Sequence, residues 1–368
     1  MSVDPAAAQT LGTVRIVGTG LLGASIGLGL RGLGVRVLLH DPSPTALALA
    51  RDMGAGELDP GDEPVSLVVV GAPPDVTASV VRAELAAHPN ATVTDVASVK
   101  GGIAAELAGA GGIERYAGGH PMAGRERSGP TAARADLFLG RPWVVCPSST
   151  GQAHERTEAV RMLAVALGAT PVFMPAAEHD EAVALISHVP QLAASLVASR
   201  LVKASDPAVG LAGQGLRDVT RIADSDPMLW AQILSANAPQ VAGVLKELRT
   251  DLDTVIAALD ALGAGEAVGA RAAVAQIVHH GREGRGRIPG KHGQPQTRYA
   301  VVTALLPDQP GQLARLFEDI GEAGINVEEF SLEHSPGARV GLGSVSVLPA
   351  AREELERALT ERGWHVVA

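Results

Sequence analysis

The sequence predicts an α/β doubly wound parallel sheet, then an all-helical region, then a small α+β domain of ferredoxin-like order. Three observations carry that prediction. Short β-branched runs alternate with Ala/Leu-rich stretches up to about residue 175; Ala, Leu and Val recur at helical spacing from Ala176 to about His280; strand and helix patterns return after residue 298. A chain of 368 residues is long enough for two or three domains, each with its own core.

In the first domain (10–175), Thr13–Val17, Val35–His40, Leu67–Val70, Ala91–Val96 and Pro142–Val145 read as strands, and Pro171–Met174 as a last one. Helix-compatible stretches or Gly/Pro turns follow the early strands, the rhythm of a parallel sheet. Region 176–281 is all helical, broken at Ser205-Asp206-Pro207 and Gly263. It is too Ala-rich and apolar to stand alone, so its helices are expected to pack against a second copy in a homodimer. Residues 282–297 read as a Gly/Pro-rich linker carrying Arg282, Arg285, Arg287 and Lys291, with Arg298 at its end. His279 and His280 are read as capping a helix end rather than binding metal. In the last domain (298–368), Tyr299–Leu306, Ile325–Glu333, Val340–Leu348 and Trp364–Val367 are strands; Gln312–Ala323 and Arg352–Arg362 are helices. That is the βαββαβ split motif.

Composition excludes several classes. A net charge of −10 argues against a nucleic-acid partner. No uninterrupted apolar stretch of membrane-spanning length appears, and Met1–Thr10 lacks the pattern of a secretory signal, so a cytoplasmic, non-membrane protein is expected. The single cysteine, Cys146, fits a reducing compartment and reads as a small buried hydrophobe. No His, Cys or acidic grouping has metal-ligand spacing, so no metal is expected.

Gly18-Thr19-Gly20-Leu21-Leu22-Gly23 directly follows the first strand and opens a helix, and Asp41 ends the second strand. The glycines serve a tight turn, close approach of a pyrophosphate, and helix–strand packing, with the helix N-terminus facing the phosphates. This marks a Rossmann-type dinucleotide site, in which Leu21, Leu22, Ala72, Pro73 and Ser98 also line the cofactor. A carboxylate at Asp41 accepts hydrogen bonds from the ribose hydroxyls and repels a 2′-phosphate. The following Pro42-Ser43-Pro44 offers no cation to bind that phosphate, so NAD is favoured over NADP.

Two further segments place polar residues where the sheet ends. Asp95-Val96-Ala97-Ser98-Val99-Lys100-Gly101 follows a strand, and Gly118-Gly119-His120-Pro121-Met122-Ala123-Gly124 sets a histidine in a glycine-flanked turn. A histidine of near-neutral pKa accepts a hydroxyl proton while hydride leaves the same carbon. Glu178, Asp180 and Glu181 read simply as residues favouring a helix N-terminus. Asp218 and Arg221, spaced i, i+3, are compatible with a helix-surface pair.

With D-x-x-S-V-K-G, G-H-P-M-A-G-x-E-x-S-G, S-H-x-P and D-x-T-R-I-A-x-S-D-P-x-x-W following GxGxxG in order, the first 280 residues or so resemble prephenate/arogenate dehydrogenases. The resemblance implies a Rossmann domain followed by a helical dimerisation domain, and oxidative decarboxylation of prephenate or arogenate in tyrosine biosynthesis. It implies that His120 takes the proton of the ring hydroxyl, that Ser98 orients His120 near the nicotinamide, and that Arg221 binds a substrate carboxylate. Glu126 and Asp218 then form an ionic gating network with Arg221, and Trp230 lines the pocket. Many prephenate-using relatives have histidine where this chain has Gln191, beside the substrate side chain; a neutral glutamine does not decide between keto acid and amino acid. A silent amino-acid-binding regulator that keeps NAD structurally is the rival reading. The joint presence of His120, Ser98 and Arg221 argues against it.

Leu306-Pro307-Asp308-Gln309-Pro310-Gly311-Gln312-Leu313 and Ala323-Gly324-Ile325-Asn326-Val327 resemble the ACT domain, a regulatory ligand-binding module. Asp308, Gln309, Pro310 and Gly311 feed a helix N-terminus suited to a carboxylate, and Asn326 opens the next strand. The effector expected is an aromatic amino acid, tyrosine first. The alternative is a purely structural dimerisation module.

Overall fold

The computed structural model describes residues 3–61, 63–124, 129–147, 153–265, 268–289, 299–334 and 340–367. The chain divides into two compact units, Met1–Leu196 with Ile222–Glu247, and Val197–Arg221 with Leu248–Ala368.

In the first unit, strands β1 (Val14–Val17), β2 (Val37–His40), β3 (Glu57–Leu58), β4 (Leu67–Val70) and β5 (Thr92–Asp95) form a parallel sheet ordered β3-β2-β1-β4-β5. Side chains alternate between two cores, as strand geometry requires. Val14, Ile16, Val37, Leu39, Leu67 and Val69 meet Ile26 and Leu30 of helix Leu21–Gly32 and Leu163 and Leu167 at the end of helix Ala153–Ala166. Val17, Leu38, Val68, Val70 and Val93 meet Val81 and Leu85 of helix Pro74–Ala87 and Ile103 and Leu107 of helix Gly101–Leu107. Burial on both faces explains why these strands read as continuous apolar runs. Strand order reverses between β1 and β4, which opens a crevice at their carboxyl ends.

The parallel pattern does not continue. Strands β6 (Gly118–Pro121), β7 (Pro142–Cys146) and β8 (Thr170–Phe173) make a second sheet, with β6 antiparallel to β7 and β7 parallel to β8. His120 therefore sits in a strand, opposite Val144, and not in a turn. Two glycines and a proline in four residues concealed that strand. Gly119 has a local reason: a Cβ there would lie 2.7 Å from the Asp95 carbonyl oxygen.

Helix Ala176–Val183, a π-helical turn Ala184–His188 and helix Val189–Leu201 form one run. By length and composition alone that run is apolar enough to cross a membrane. Yet its His179, Asp180, His188 and Gln191 are buried within the protein. Val189 and Leu192 share a small core with Leu234 of helix Pro227–Ala236 and with Val241 and Val244 of helix Ala238–Gly263.

The second unit includes helices Asp206–Gly210, Gln214–Thr220 and Ala270–Gly286 and the C-terminal sheet. The expected linker starts too early, because the last of these helices runs to Gly286 and carries Arg282 and Arg285. His279 is not a cap: its Nε2 lies 3.4 Å from Glu283 one turn on, a helical i, i+4 pair. Strands β9 (Ala300–Pro307), β10 (Glu329–His334), β11 (Val340–Val347) and β12 (Val366–Val367) are antiparallel in the order β10-β11-β9-β12. Helices Gln312–Glu322 and Arg352–Glu361 bury Leu316, Ile320, Leu355 and Leu359 against Val302, Ala304, Val345 and Val347. This is the expected βαββαβ fold, except that β10 starts at Glu329 and leaves Asn326 in the connection before it.

Candidate active site

The loop after β1 is built as a cradle. Gly18 has φ +100°, and a Cβ on it would stand 2.5 Å from the Gly71 carbonyl oxygen. A Cβ on Gly23 would stand 1.9 Å from the Gly18 carbonyl oxygen, so the loop folds flat against its own helix only with glycine there. Around Gly20, by contrast, there is open space where a Cβ would point, and helix Leu21–Gly32 starts without a side-chain cap. An uncapped helix N-terminus beside an open glycine is the arrangement a pyrophosphate fits. Leu21 and Leu22 pack their side chains against the core behind. Ala72 and Pro73 follow β4, with Pro73 at the N-cap of helix Pro74–Ala87 and the Ala72 carbonyl accepting from the Thr77 hydroxyl at 3.1 Å.

Asp41 has a second task that sequence reasoning missed. Its Oδ2 accepts from the Thr19 N–H at 2.6 Å and the Thr19 hydroxyl at 2.9 Å, and its Oδ1 accepts from the Ser43 N–H at 2.8 Å. The carboxylate assigned to the ribose thus also ties down the glycine loop. The x of G-x-G, a threonine, was the available signal.

Beyond β5 the polar residues converge. Asp95 is fully buried and accepts from the Lys100 ammonium, from the Tyr116 hydroxyl at 2.6 Å and from the Ala97 N–H at 2.8 Å. Burial first, and then the Asp95 charge, push the Tyr116 phenol well above its ordinary value, so it stays a donor. Removing Lys100 leaves an uncompensated buried carboxylate, a cost of about 3–5 kcal/mol.

Asp180 does more than favour a helix start. Its two oxygens accept from the backbone N–H groups of Lys100, at 2.8 Å, and Gly101, at 2.7 Å. It thereby closes the N-terminus of the other helix, Gly101–Leu107. A Cβ on Gly101 would stand 2.8 Å from Asp180 Oδ2, which is why glycine follows Lys100. Oδ1 also lies 2.8 Å from His179 Nδ1, and His179 Nε2 lies 2.8 Å from His120 Nδ1. Burial pushes the Asp180 carboxyl up, but the bonds from His179, Lys100 and Gly101 outweigh it and leave the group below its ordinary value. Burial, followed by the charges of His179, Lys100 and His188, holds the His120 imidazole well below the ordinary histidine value.

His188 closes the π-helical turn, a distortion often found at functional sites. Its Nδ1 lies 3.2 Å from Asn237 Nδ2, which also donates to the Asp180 carbonyl at 2.8 Å. Its ring meets Trp230 edge-on at 6.0 Å. Gln191 is buried nearby in sequence, one turn further along the same run. Asp180, His188 and Asn237 were not chosen from sequence as site residues, because no local spacing links them.

Other expectations fare differently. No hydrogen bond joins Ser98 to His120 among the described residues; the imidazole is held by His179 instead. Arg221, in the second unit, starts a short 3-10 turn, is exposed, and forms no pair with Asp218, which accepts from Gln214 at 2.7 Å. A glutamine one turn back reaches that carboxylate, so among the described residues the Asp218–Arg221 part of the expected network is not formed. Glu126 lies outside the described residues. Asp226 caps helix Pro227–Ala236 at its first turn and so sets the position of Trp230. Burial pushes the Cys146 thiol up to about 12, as suits a core residue. In the C-terminal domain Gly311 is the N-cap of helix Gln312–Glu322, and the Asn326 amide donates to Glu328 at 2.8 Å.

Comparison with known proteins agrees with this geometry. Residues 26–172 match the prephenate dehydrogenase nucleotide-binding domain, and residues 175–266 match the prephenate dehydrogenase dimerization domain. The chain is 37% identical over 357 residues to the probable prephenate dehydrogenase NovF of Streptomyces niveus, covering 96% of this chain and 98% of that protein. A crystal structure of A. aeolicus prephenate dehydrogenase in complex with hydroxyphenyl propionate and NAD+ superposes with a TM-score of 0.64 at 26% identity, over 74% of this chain and 98% of that one. Synechocystis arogenate dehydrogenase gives 0.61 at 25% identity, over 74% and 99%. With two family models matching residues 26–172 and 175–266, and 37% identity to a relative over 96% of its own length, the chain belongs to the prephenate dehydrogenase family.

Proposed function

We propose that this chain is an NAD-dependent prephenate dehydrogenase that oxidatively decarboxylates prephenate to 4-hydroxyphenylpyruvate. The observation that carries the reading is His120, on the strand beside the carboxyl end of β5, with a depressed pKa and a buried polar support. Bound NAD supplies the hydride acceptor. Gly18, Gly20 and Gly23 would shape its phosphate cradle, Asp41 would hold its ribose, and Leu21, Leu22, Ala72, Pro73 and Ser98 would line it. His120, neutral at working pH, takes the proton of the C4 hydroxyl as the carbonyl forms. Loss of carbon dioxide from C1 then makes the ring aromatic, which drives the step. Arg221 is the proposed carboxylate clamp, apt because its fork matches a carboxylate and stays charged, with Glu126 as its gating partner. Trp230 and Gln191 line the pocket.

The protein works as a cytoplasmic homodimer. On helix Ala238–Gly263, Leu248, Leu252, Ile256 and Leu259 recur at helical spacing and stand exposed, a stripe that a second copy would cover. The C-terminal βαββαβ domain acts as an ACT-type module that binds tyrosine through Asp308, Gln309, Pro310, Gly311 and Asn326.

The deciding experiment is NADH formation with prephenate and with arogenate, each with NAD and with NADP, with and without tyrosine. Turnover of prephenate with NAD is expected. Turnover of arogenate alone moves the substrate assignment, for which Gln191 leaves room. NAD binding without turnover of either substrate gives the silent regulator instead.

A further inference from the structure

Neither hydride transfer nor the glycine loop requires a second histidine, yet one stands directly behind the proposed base. Asp180 cannot turn away from it, since both its oxygens are held by backbone N–H groups at 2.8 and 2.7 Å. An ionised carboxylate only accepts, so the 2.8 Å contact between Asp180 Oδ1 and His179 Nδ1 has its hydrogen on the histidine. A neutral imidazole with hydrogen on Nδ1 carries a lone pair on Nε2. That lone pair meets His120 Nδ1 at 2.8 Å, and the two rings stand edge to face at 75°, the orientation of an N–H···N bond. One hydrogen lies between them, and it belongs to His120. Its Nε2 is then left bare.

We infer that His179 and Asp180 are positioning residues that lock His120 in the Nδ1–H tautomer, so that Nε2 is the atom that takes the substrate's proton. The inference rests on reading His120 as the base. In the step itself the substrate O–H bond breaks and an N–H bond forms at His120 Nε2, giving an imidazolium. The Lys100 ammonium and the His188 ring near this site do not balance that charge, and Lys100 is already paired with Asp95. The Asp180 carboxylate does, through the intervening His179 ring. An aspartate that fixes a catalytic imidazole's tautomer and stabilises its cation is a recurring device; here one further ring is inserted into it. The three residues lie 59 and 1 positions apart in sequence, and no motif spacing joins them.

The test uses the full-length chain and three substitutions. His120→Asn serves as the reference and is expected to lose about 10²–10⁴-fold in kcat. His179→Leu removes the acceptor and is expected to lower kcat by about 10- to 100-fold with KM for prephenate and NAD little changed, as for one unmade buried hydrogen bond. His179→Gln places an amide oxygen near the Nε2 position and an amide hydrogen within reach of Asp180, and is expected to recover most of that loss. Independently of any variant, imidazole 15N shifts of wild-type protein, with His120 assigned by difference from His120→Asn, should show hydrogen on Nδ1 and a bare Nε2. A His120 protonated on Nε2 overturns the inference even if His179→Leu fails to fold. Wild-type kcat in a folded His179→Leu protein overturns it as well. Wild-type turnover in His120→Asn instead defeats the reading of His120 as base, a separate failure.

Discussion

Two turns in this molecule hold the same place in their domains and differ in what they demand of glycine. Each follows the first strand of a domain and opens a helix: Gly18–Gly23 after β1, and Asp308–Gly311 after β9. In the first, backbone atoms lie 2.5 and 1.9 Å from where Cβ atoms on Gly18 and Gly23 would stand, and Asp41 holds the loop through Thr19. At Gly311 nothing lies within 4 Å, and only its φ of +87° asks for glycine. The first turn is a preformed cradle compressed between strand, helix and the Gly71 backbone. The second is an exposed bend whose shape depends on one residue's torsion. A ligand at the first therefore meets a site already built, whereas a ligand at the second must supply much of the order itself.

The largest effect expected from breaking that contrast is at Gly23. A methyl group in Gly23→Ala forces the backbone apart and weakens NAD binding by about 10- to 100-fold, measured by titration calorimetry. Unchanged affinity would mean the loop is as loose as its C-terminal counterpart. The acid limb of kcat/KM is the next largest. As the proposed base, His120 would act only when neutral, and burial with His179, Lys100 and His188 lowers its pKa. Activity should hold below the ordinary histidine value of about 6.5 and then fall about tenfold per pH unit as the proton binds. A limb at or above that value counts against the buried setting. Asp41→Ala comes third: it frees Thr19 and removes the anion, so preference for NAD over NADP should shrink by about tenfold in competing assays. Gly311→Ala is the smallest. Its left-handed torsion costs about 1–2 kcal/mol of domain stability, seen in the thermal midpoint, while NADH formation without effector stays at the wild-type rate.

The nucleotide-binding half was legible because its signals are local. Five strands of the first domain begin and end within a few residues of their expected positions, since burial on both faces leaves continuous apolar runs. The C-terminal domain was legible for the complementary reason: β9 alternates buried and less buried positions, and helix Gln312–Glu322 has a clear apolar face. β6 was not legible, because its Gly-Gly-His-Pro run has no strand propensity and forms by pairing with β7. The pairing of Asp218 with Gln214 was missed for another reason. Two partners stood within one helical turn of that carboxylate, and spacing alone does not rank them.

By itself the sequence determined the order of elements (parallel βα sheet, helical run, βαββαβ sheet), the glycine loop with Asp41, and His120 as the histidine worth watching. These are written in contiguous residues, where backbone sterics and side-chain period act at short range. Tertiary structure alone decided what stands behind that histidine. Packing β6 against the start of helix Ala176–Val183 brings His179 to His120, and Asp180 bridges the same helix to the backbone after β5. The physical reason is that a hydrogen-bond chain between distant elements is fixed only when the burial of their apolar neighbours brings them together, leaving buried polar groups to partner one another.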